Sequence, residues 1–306
     1  MMSFSLQFVL VLIGTFMIAL VLTPLVRLFS FKIDAVDYPN ARRINTKPMP
    51  SAGGLSIVIA FSIATLVFIP MLTSTTAPIK SYLSYTLPVV GAGWIIALTG
   101  LIDDVKELSA KKKMIGILLA ASLVWFLTDF RLNDFKIPFG GPLLHFEPWL
   151  SYLLTVIWIV AITNAVNLID GLDGLAGGMS VIVLVVIGSI AIIERRLDLL
   201  SIAFILASGT FGFLAYNAHP ASIFMGDCGS LFLGFMISAI SLLGFKSSTI
   251  LTLALPILLL MLPIIDTLSA ILRRTLKGMK FMEADKSHIH HLLMRQFGHR
   301  NTVIIM

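Results

Sequence analysis

Asp103 and Asp104 stand side by side, and Asn164, Asn167, Asp170 and Asp173 recur every three residues in NAVNLIDGLDG. A further carboxylate, Asp227, lies in FMGDCGS, between Gly226 and Gly229–Ser230. Carboxylate and amide oxygens are hard donors, and acids left without lysines nearby at a membrane boundary call for a divalent cation. Lys106 and Lys111–Lys113 follow the Asp pair within ten residues and offer cationic partners for phosphate. His288, His290 and His291 form a cluster in HIHH that suits either a metal or a phosphate. Neighbouring helical residues point about 100° apart, so Asp103 and Asp104 are expected to divide labour rather than clasp one ion together. Each acid also has a plainer reading. Asp103–Asp104 would be a solvated helix end, and Asp227 a cap at the start of a helix. No CxxC, HExxH or GxxxxGKS pattern occurs, so zinc-protease and P-loop chemistry have no support.

These residues have to be positioned by apolar helices. Of the 306 residues, 58% are hydrophobic and only 12% charged, against about 45–50% and about 25% in a soluble domain. A single Cys228 excludes a disulfide scaffold. Nine stretches have the length and polarity of spanning helices: 4–29, 55–72, 86–102, 114–128, 149–165, 174–193, 199–216, 229–245 and 249–272. An apolar tail, Thr302–Met306, reads as the start of a tenth, cut short. The expected fold is an all-α, polytopic transmembrane bundle, with residues 1–306 forming one integral-membrane unit. With the N-terminus outside, 16 Lys and Arg fall on the inner side and 6 on the outer, as the positive-inside rule requires. That rule also accounts for the net charge of +6 without nucleic acid.

Orientation gathers the unusual segments on one face. DYPNARRINTKPMPSAGG, DDVKELSAKKK, NAVNLIDGLDG, NAHPASIFMGDCGS and ADKSHIHH all fall on the cytosolic side, with ten of the 16 acids. A transporter or channel would place acids near mid-bilayer. Here Asp266 is the lone acid well inside a span, and transport is the weaker reading.

In their order from about Asp37 to His291, these segments resemble the signatures of the polyprenyl-phosphate N-acetylhexosamine-1-phosphate transferases. The resemblance implies a helical membrane enzyme with a cytosolic active site that requires Mg²⁺, for which Mn²⁺ can substitute. Such an enzyme joins a sugar-1-phosphate from a UDP-sugar to a lipid phosphate and releases UMP. The first loop and HIHH are similar to the bacterial branch that uses UDP-GlcNAc and undecaprenyl phosphate, as in teichoic acid and O-antigen initiation. The branch that transfers phospho-MurNAc-pentapeptide, the alternative, carries a run of three consecutive histidines. Asn45 stands where many UDP-GlcNAc users have His, and no role is carried onto it.

The resemblance assigns Mg²⁺ to Asp227, Asn167 and Asp170, and catalysis to Asp103, Asp104 and Asp173. Lys113, His288, His290 and His291 would hold diphosphate and sugar, and Asn217 with Phe224 the uridine. Direct attack and an aspartyl-phosphate intermediate both remain open. The implied setting is the bacterial plasma membrane, with the bilayer, UDP-GlcNAc and undecaprenyl phosphate as partners and a homodimer as a candidate assembly.

Overall fold

The computed structural model describes residues 4–39, 47–70, 79–136 and 141–245, with isolated positions 261, 265, 296 and 302. The expected span 249–272, the HIHH segment and Asp266 lie outside the described residues. Eight helices carry the rest: α1 (Phe4–Lys32), α2 (Gly54–Ile63), α3 (Ile79–Lys106), α4 (Ala110–Leu127), α5 (Pro148–Ile169), α6 (Leu175–Ile193), α7 (Leu197–Asn217) and α8 (Gly226–Phe245). A π-helical turn, Ala64–Phe68, extends α2. Six of the helices contain stretches long and apolar enough to cross a membrane, and Gly54–Phe68 is a shorter apolar helix.

An apolar medium offers no water to unpaired backbone groups, so the helix is the economical solution for such sequences. The hydroxyls follow the same rule. Thr15, Thr23, Ser30, Thr65 and Thr210 each donate to the carbonyl one turn earlier.

α8 is the hub. It packs against α2, α3, α5 and α6, while α1 and α6 pack on α7. The apolar window of α8 is 89% buried, whereas that of α1 is only 28% buried, so α8 is enclosed by protein and α1 presents most of its surface outward. Small residues allow the close crossings. A Cβ on Gly234 would approach the Thr163 backbone to 2.7 Å, and one on Gly212 would approach the Phe16 carbonyl to 2.5 Å.

Two short antiparallel pairs qualify the all-α expectation. β1 (Val36–Asp37) pairs with β2 (Met49–Pro50), and β3 (Asp134–Lys136) with β4 (Leu143–His145). The first pair turns the chain back after α1 and delivers residues 50–54 to the start of α8. The fourth helix also begins earlier than its apolar run. Lys111–Lys113 lie in the first turn of α4, where positive charge opposes the helix dipole. The site explains why that placement is tolerated.

Candidate active site

The C-terminal ends of α3, α5 and α7 meet the N-terminal ends of α2, α4, α6 and α8, and the polar motifs face one another there. Asp103 and Asp104 occupy the last turn of α3, where negative charge is unfavourable for that helix. Each finds compensation elsewhere. The Asp104 carboxylate accepts the Asp227 backbone N–H at 2.8 Å on Oδ1 and the Cys228 N–H at 3.1 Å on Oδ2. It therefore caps α8 from another helix, satisfying two donors that a helix start leaves open. Asp103 turns the other way. Its Oδ1 accepts the Leu108 N–H at 2.6 Å, and its Oδ2 pairs with Lys113 Nζ at 2.9 Å.

Lys113 also donates to Asp227 Oδ2, so one ammonium bridges two carboxylates. This double pairing offsets the dipole cost of beginning α4 with lysines. Asp227 Oδ1 accepts from Asn167 Nδ2 at 2.9 Å, and the same amide donates to Ser230 Oγ at 2.8 Å. Because Asp104 already caps α8, the Asp227 side chain is released to face Lys113 and Asn167. The site is thus Asp103, Lys113, Asn167 and Asp227, at the junction of four helices.

A second layer joins the α5–α6 loop to the α7–α8 loop. Asn217, buried, accepts the Gly174 N–H at 3.2 Å and donates to the Ile223 carbonyl at 3.0 Å. Both ends of its amide thus tie the two loops together. Asp173 Oδ2 accepts the Ala221 N–H at 3.1 Å and contacts His219 Nδ1 at 2.8 Å. Asp170, partly buried after the last turn of α5, lies within the field of Asp227 and Asp173. Burial first, and then those two negative charges, push its carboxyl up to about 8.

Residues 50–54 close the site from beneath. Phe224 N–H donates to the Pro50 carbonyl at 2.8 Å, and the N–H groups of Gly53 and Gly54 donate to the Phe224 and Met225 carbonyls at 3.0 and 2.9 Å. This places Phe224 through its backbone. Gly226 has φ +71°, and a Cβ there would fall 1.6 Å from the Ser51 carbonyl oxygen. A Cβ on Gly54 would lie 2.0 Å from Gly229 Cα. With backbone on both sides, Gly54→Ala cannot be absorbed by a rotamer change. It is expected to cost about 1–3 kcal/mol, the usual range for overpacking, read as a lowered thermal midpoint of the detergent-purified protein.

Residues 86–245, which hold Asp103, Lys113, Asn167 and Asp227, match the glycosyl transferase family 4. A probable undecaprenyl-phosphate N-acetylglucosaminyl 1-phosphate transferase of Bacillus subtilis (strain 168) is 43% identical over 304 residues, covering 98% of this chain and 81% of that protein. The chain belongs to glycosyl transferase family 4. A decaprenyl-phosphate N-acetylglucosaminephosphotransferase of Mycolicibacterium smegmatis is 34% identical, over 92% of this chain and 74% of the relative. A phospho-N-acetylmuramoyl-pentapeptide-transferase of Listeria innocua is 31% identical, over 63% and 60%.

In this family 4 protein the donor set fits a hard, weakly dehydrated cation. Among the described residues no three His, Cys, Asp or Glu side chains gather as a ready-made metal cage. Mg²⁺ needs no such cage, since it is commonly held by one or two carboxylates, water and substrate phosphates. Asp103, Asp104, Lys113, Asn167 and Asp227, all legible in the sequence, are brought together. Asp170 and Asp173 border them, and Asn217 ties the loops. Two contributors carried no individual signal. Ser230 lies within FMGDCGS, and His219 precedes Pro220 in the same polar segment.

Proposed function

We propose that this multi-pass membrane protein transfers GlcNAc-1-phosphate from UDP-GlcNAc to undecaprenyl phosphate on the cytosolic face of a bacterial plasma membrane. The products are undecaprenyl-diphosphate-GlcNAc and UMP, the lipid-linked first step of a cell-wall or surface polysaccharide. The observation that carries the reading is the Asp103–Lys113–Asp227–Asn167 cluster at one end of a bundle of apolar helices. The nearly full-length similarity to GlcNAc-phosphate transferases, against 63% coverage by the pentapeptide enzyme, favours UDP-GlcNAc as donor.

In this reaction an oxygen of the lipid phosphate attacks the β-phosphorus of UDP-GlcNAc. The bond from that phosphorus to the bridging oxygen breaks, and UMP leaves with the oxygen and its electron pair. Catalysis of phosphoryl transfer is mostly positioning and charge stabilisation. Asp227 and Asn167 are the residues that would hold Mg²⁺, with Asp170 beside them. The metal would neutralise diphosphate charge when bound. Lys113 supplies an ammonium that can pass from the carboxylates to phosphate oxygens. Asp103 orients the lipid phosphate or accepts its remaining proton at Oδ2, the oxygen that faces Lys113. Asp104, committed to the α8 cap, holds the frame.

The decisive assay offers purified protein undecaprenyl phosphate with UDP-GlcNAc or UDP-MurNAc-pentapeptide. Turnover of the first alone is expected, and preference for the second would move the protein to the other branch. Orientation has its own test. Cys228 is buried, so the wild-type background should be silent to thiol reagents. Lys106→Cys should react with an impermeant reagent only after the cytosolic side is opened, and Arg195→Cys from outside intact cells. The reverse pattern would invert the arrangement.

A further inference from the structure

His219 stands just beyond α7 in a loop that its neighbours fasten. Asn217 bonds both Gly174 and Ile223, and Ser222 donates through its N–H at 2.8 Å and its hydroxyl at 3.0 Å to the Tyr216 carbonyl. The imidazole is 43% exposed. It reaches Asp173, whose side chain is only 17% exposed.

One oxygen, Asp173 Oδ2, receives two groups from this loop: the Ala221 N–H at 3.1 Å and His219 Nδ1 at 2.8 Å. A carboxylate oxygen accepts, so Nδ1 carries the hydrogen. A single donor lets a carboxylate swing about its Cβ–Cγ bond. Two donors on the same oxygen, one fixed by backbone and one by a ring, restrict that rotation. The orientation matters because Asp173 follows Asp170 in the α5–α6 loop, which is bonded to the α7–α8 loop that leads directly into Asp227. A small rotation of Asp173 therefore redistributes negative charge beside the place where a diphosphate must lie.

We propose that His219 is a positioning residue for the transfer reaction: it fixes the Asp173 carboxylate through Nδ1 and so sets the electrostatics beside the diphosphate. The inference rests on the reaction proposed above. Outer partners that orient an active-site group typically change activity by about 10–100-fold when removed.

The test compares wild type, His219→Ala and His219→Asn as detergent-purified full chains with UDP-GlcNAc and undecaprenyl phosphate. Asn is chosen because its amide nitrogen can stand near the place of Nδ1. His219→Ala should lower kcat by about tenfold or more, with little change in KM for UDP-GlcNAc and an unchanged thermal midpoint. His219→Asn should recover most of the lost kcat. In a double-mutant cycle, adding His219→Ala to Asp173→Asn should cost almost nothing further, because the carboxylate to be positioned is gone.

Unaltered kcat in His219→Ala overturns the proposal, as does an Asn variant no better than Ala. Multiplicative losses in the cycle would mean that His219 acts independently of Asp173, which also overturns it. A fall in thermal midpoint that accounts for the lost turnover would make His219 a loop strut, with the same consequence. Inactive wild-type protein is a different failure, because it strikes the proposed reaction and not the role of His219 within it.

Discussion

Asp227→Asn should reduce transfer by on the order of 10²–10³-fold, the size of loss seen when one preorganised charge-stabilising group is removed from an active site. The carboxylate sits where three partners meet: Lys113 on Oδ2, Asn167 on Oδ1 and, through Asn167, Ser230. The amide would remove a full negative charge and could turn its own N–H₂ toward the Lys113 ammonium. It leaves the α8 cap alone, since Asp104 binds the backbone there and not the Asp227 side chain. The thermal midpoint should therefore change little while turnover collapses. Mn²⁺ binding, followed by electron paramagnetic resonance without nucleotide, should weaken in the same variant. Lys113→Met should do the opposite, because the ammonium would compete with a divalent cation for the Asp227 carboxylate. Lys112→Met, an exposed control one residue away, should leave Mn²⁺ affinity close to wild type. Full activity with an unchanged Mn²⁺ titration in Asp227→Asn would remove Asp227 from the chemistry.

The adjacent aspartates should fail in opposite ways. Asp103→Asn is expected to lower kcat by about 10²–10⁴-fold, the usual contribution of a positioned acid–base group, at a nearly constant thermal midpoint. Asp104→Asn keeps one acceptor oxygen but sets an amide N–H₂ against one of two backbone N–H donors of α8. The cost should be about 1–2 kcal/mol for the lost cap, and activity should fall together with stability. Midpoints from thermal unfolding in detergent, alongside kcat at a temperature where both variants are folded, separate the two effects. A stable, inactive Asp104→Asn and an unstable, active Asp103→Asn would exchange the roles assigned here. The same comparison bears on the order of chemistry. If Asp103 orients or deprotonates the lipid phosphate, no UMP/UDP-GlcNAc exchange should occur without lipid. Lipid-independent exchange lost in Asp103→Asn would instead identify a covalent phospho-sugar intermediate.

Much of this was legible in the chain before any folding was considered. Apolar stretches the length of a bilayer core leave few alternatives to helices, and all eight described helices fall on expected spans. The first and fourth of the polar segments meet through backbone bonds between residues 50–54 and 224–225, and the second, third and fourth through side chains. Residue type was enough to single out Asp227, Asn167 and Lys113 as candidates, and the fold brings the three together. The sequence even carries a sign of conflict: acids in the last turn of α3 and lysines in the first turn of α4 both oppose their helix dipoles. Local rules broken in this way tend to mark function.

Tertiary structure alone decided which aspartate faces Lys113 and which caps α8. Asp103 and Asp104 are equivalent in type and context, but Asp103 bonds nearby Leu108 and Lys113, whereas Asp104 reaches Asp227 at a separation of 123 residues. The choice depends on how α3 meets α8, and that crossing is set by Gly100, where a Cβ would come within 2.3 Å of the Asp227 carbonyl oxygen. The close approach puts Asp104 under the first backbone N–H groups of α8 and turns Asp103, about 100° around the helix, toward Lys113. His219 was hidden for the same reason. An exposed histidine before a proline has no periodicity to betray it, and it acquires a role only when α7 ends within reach of Asp173.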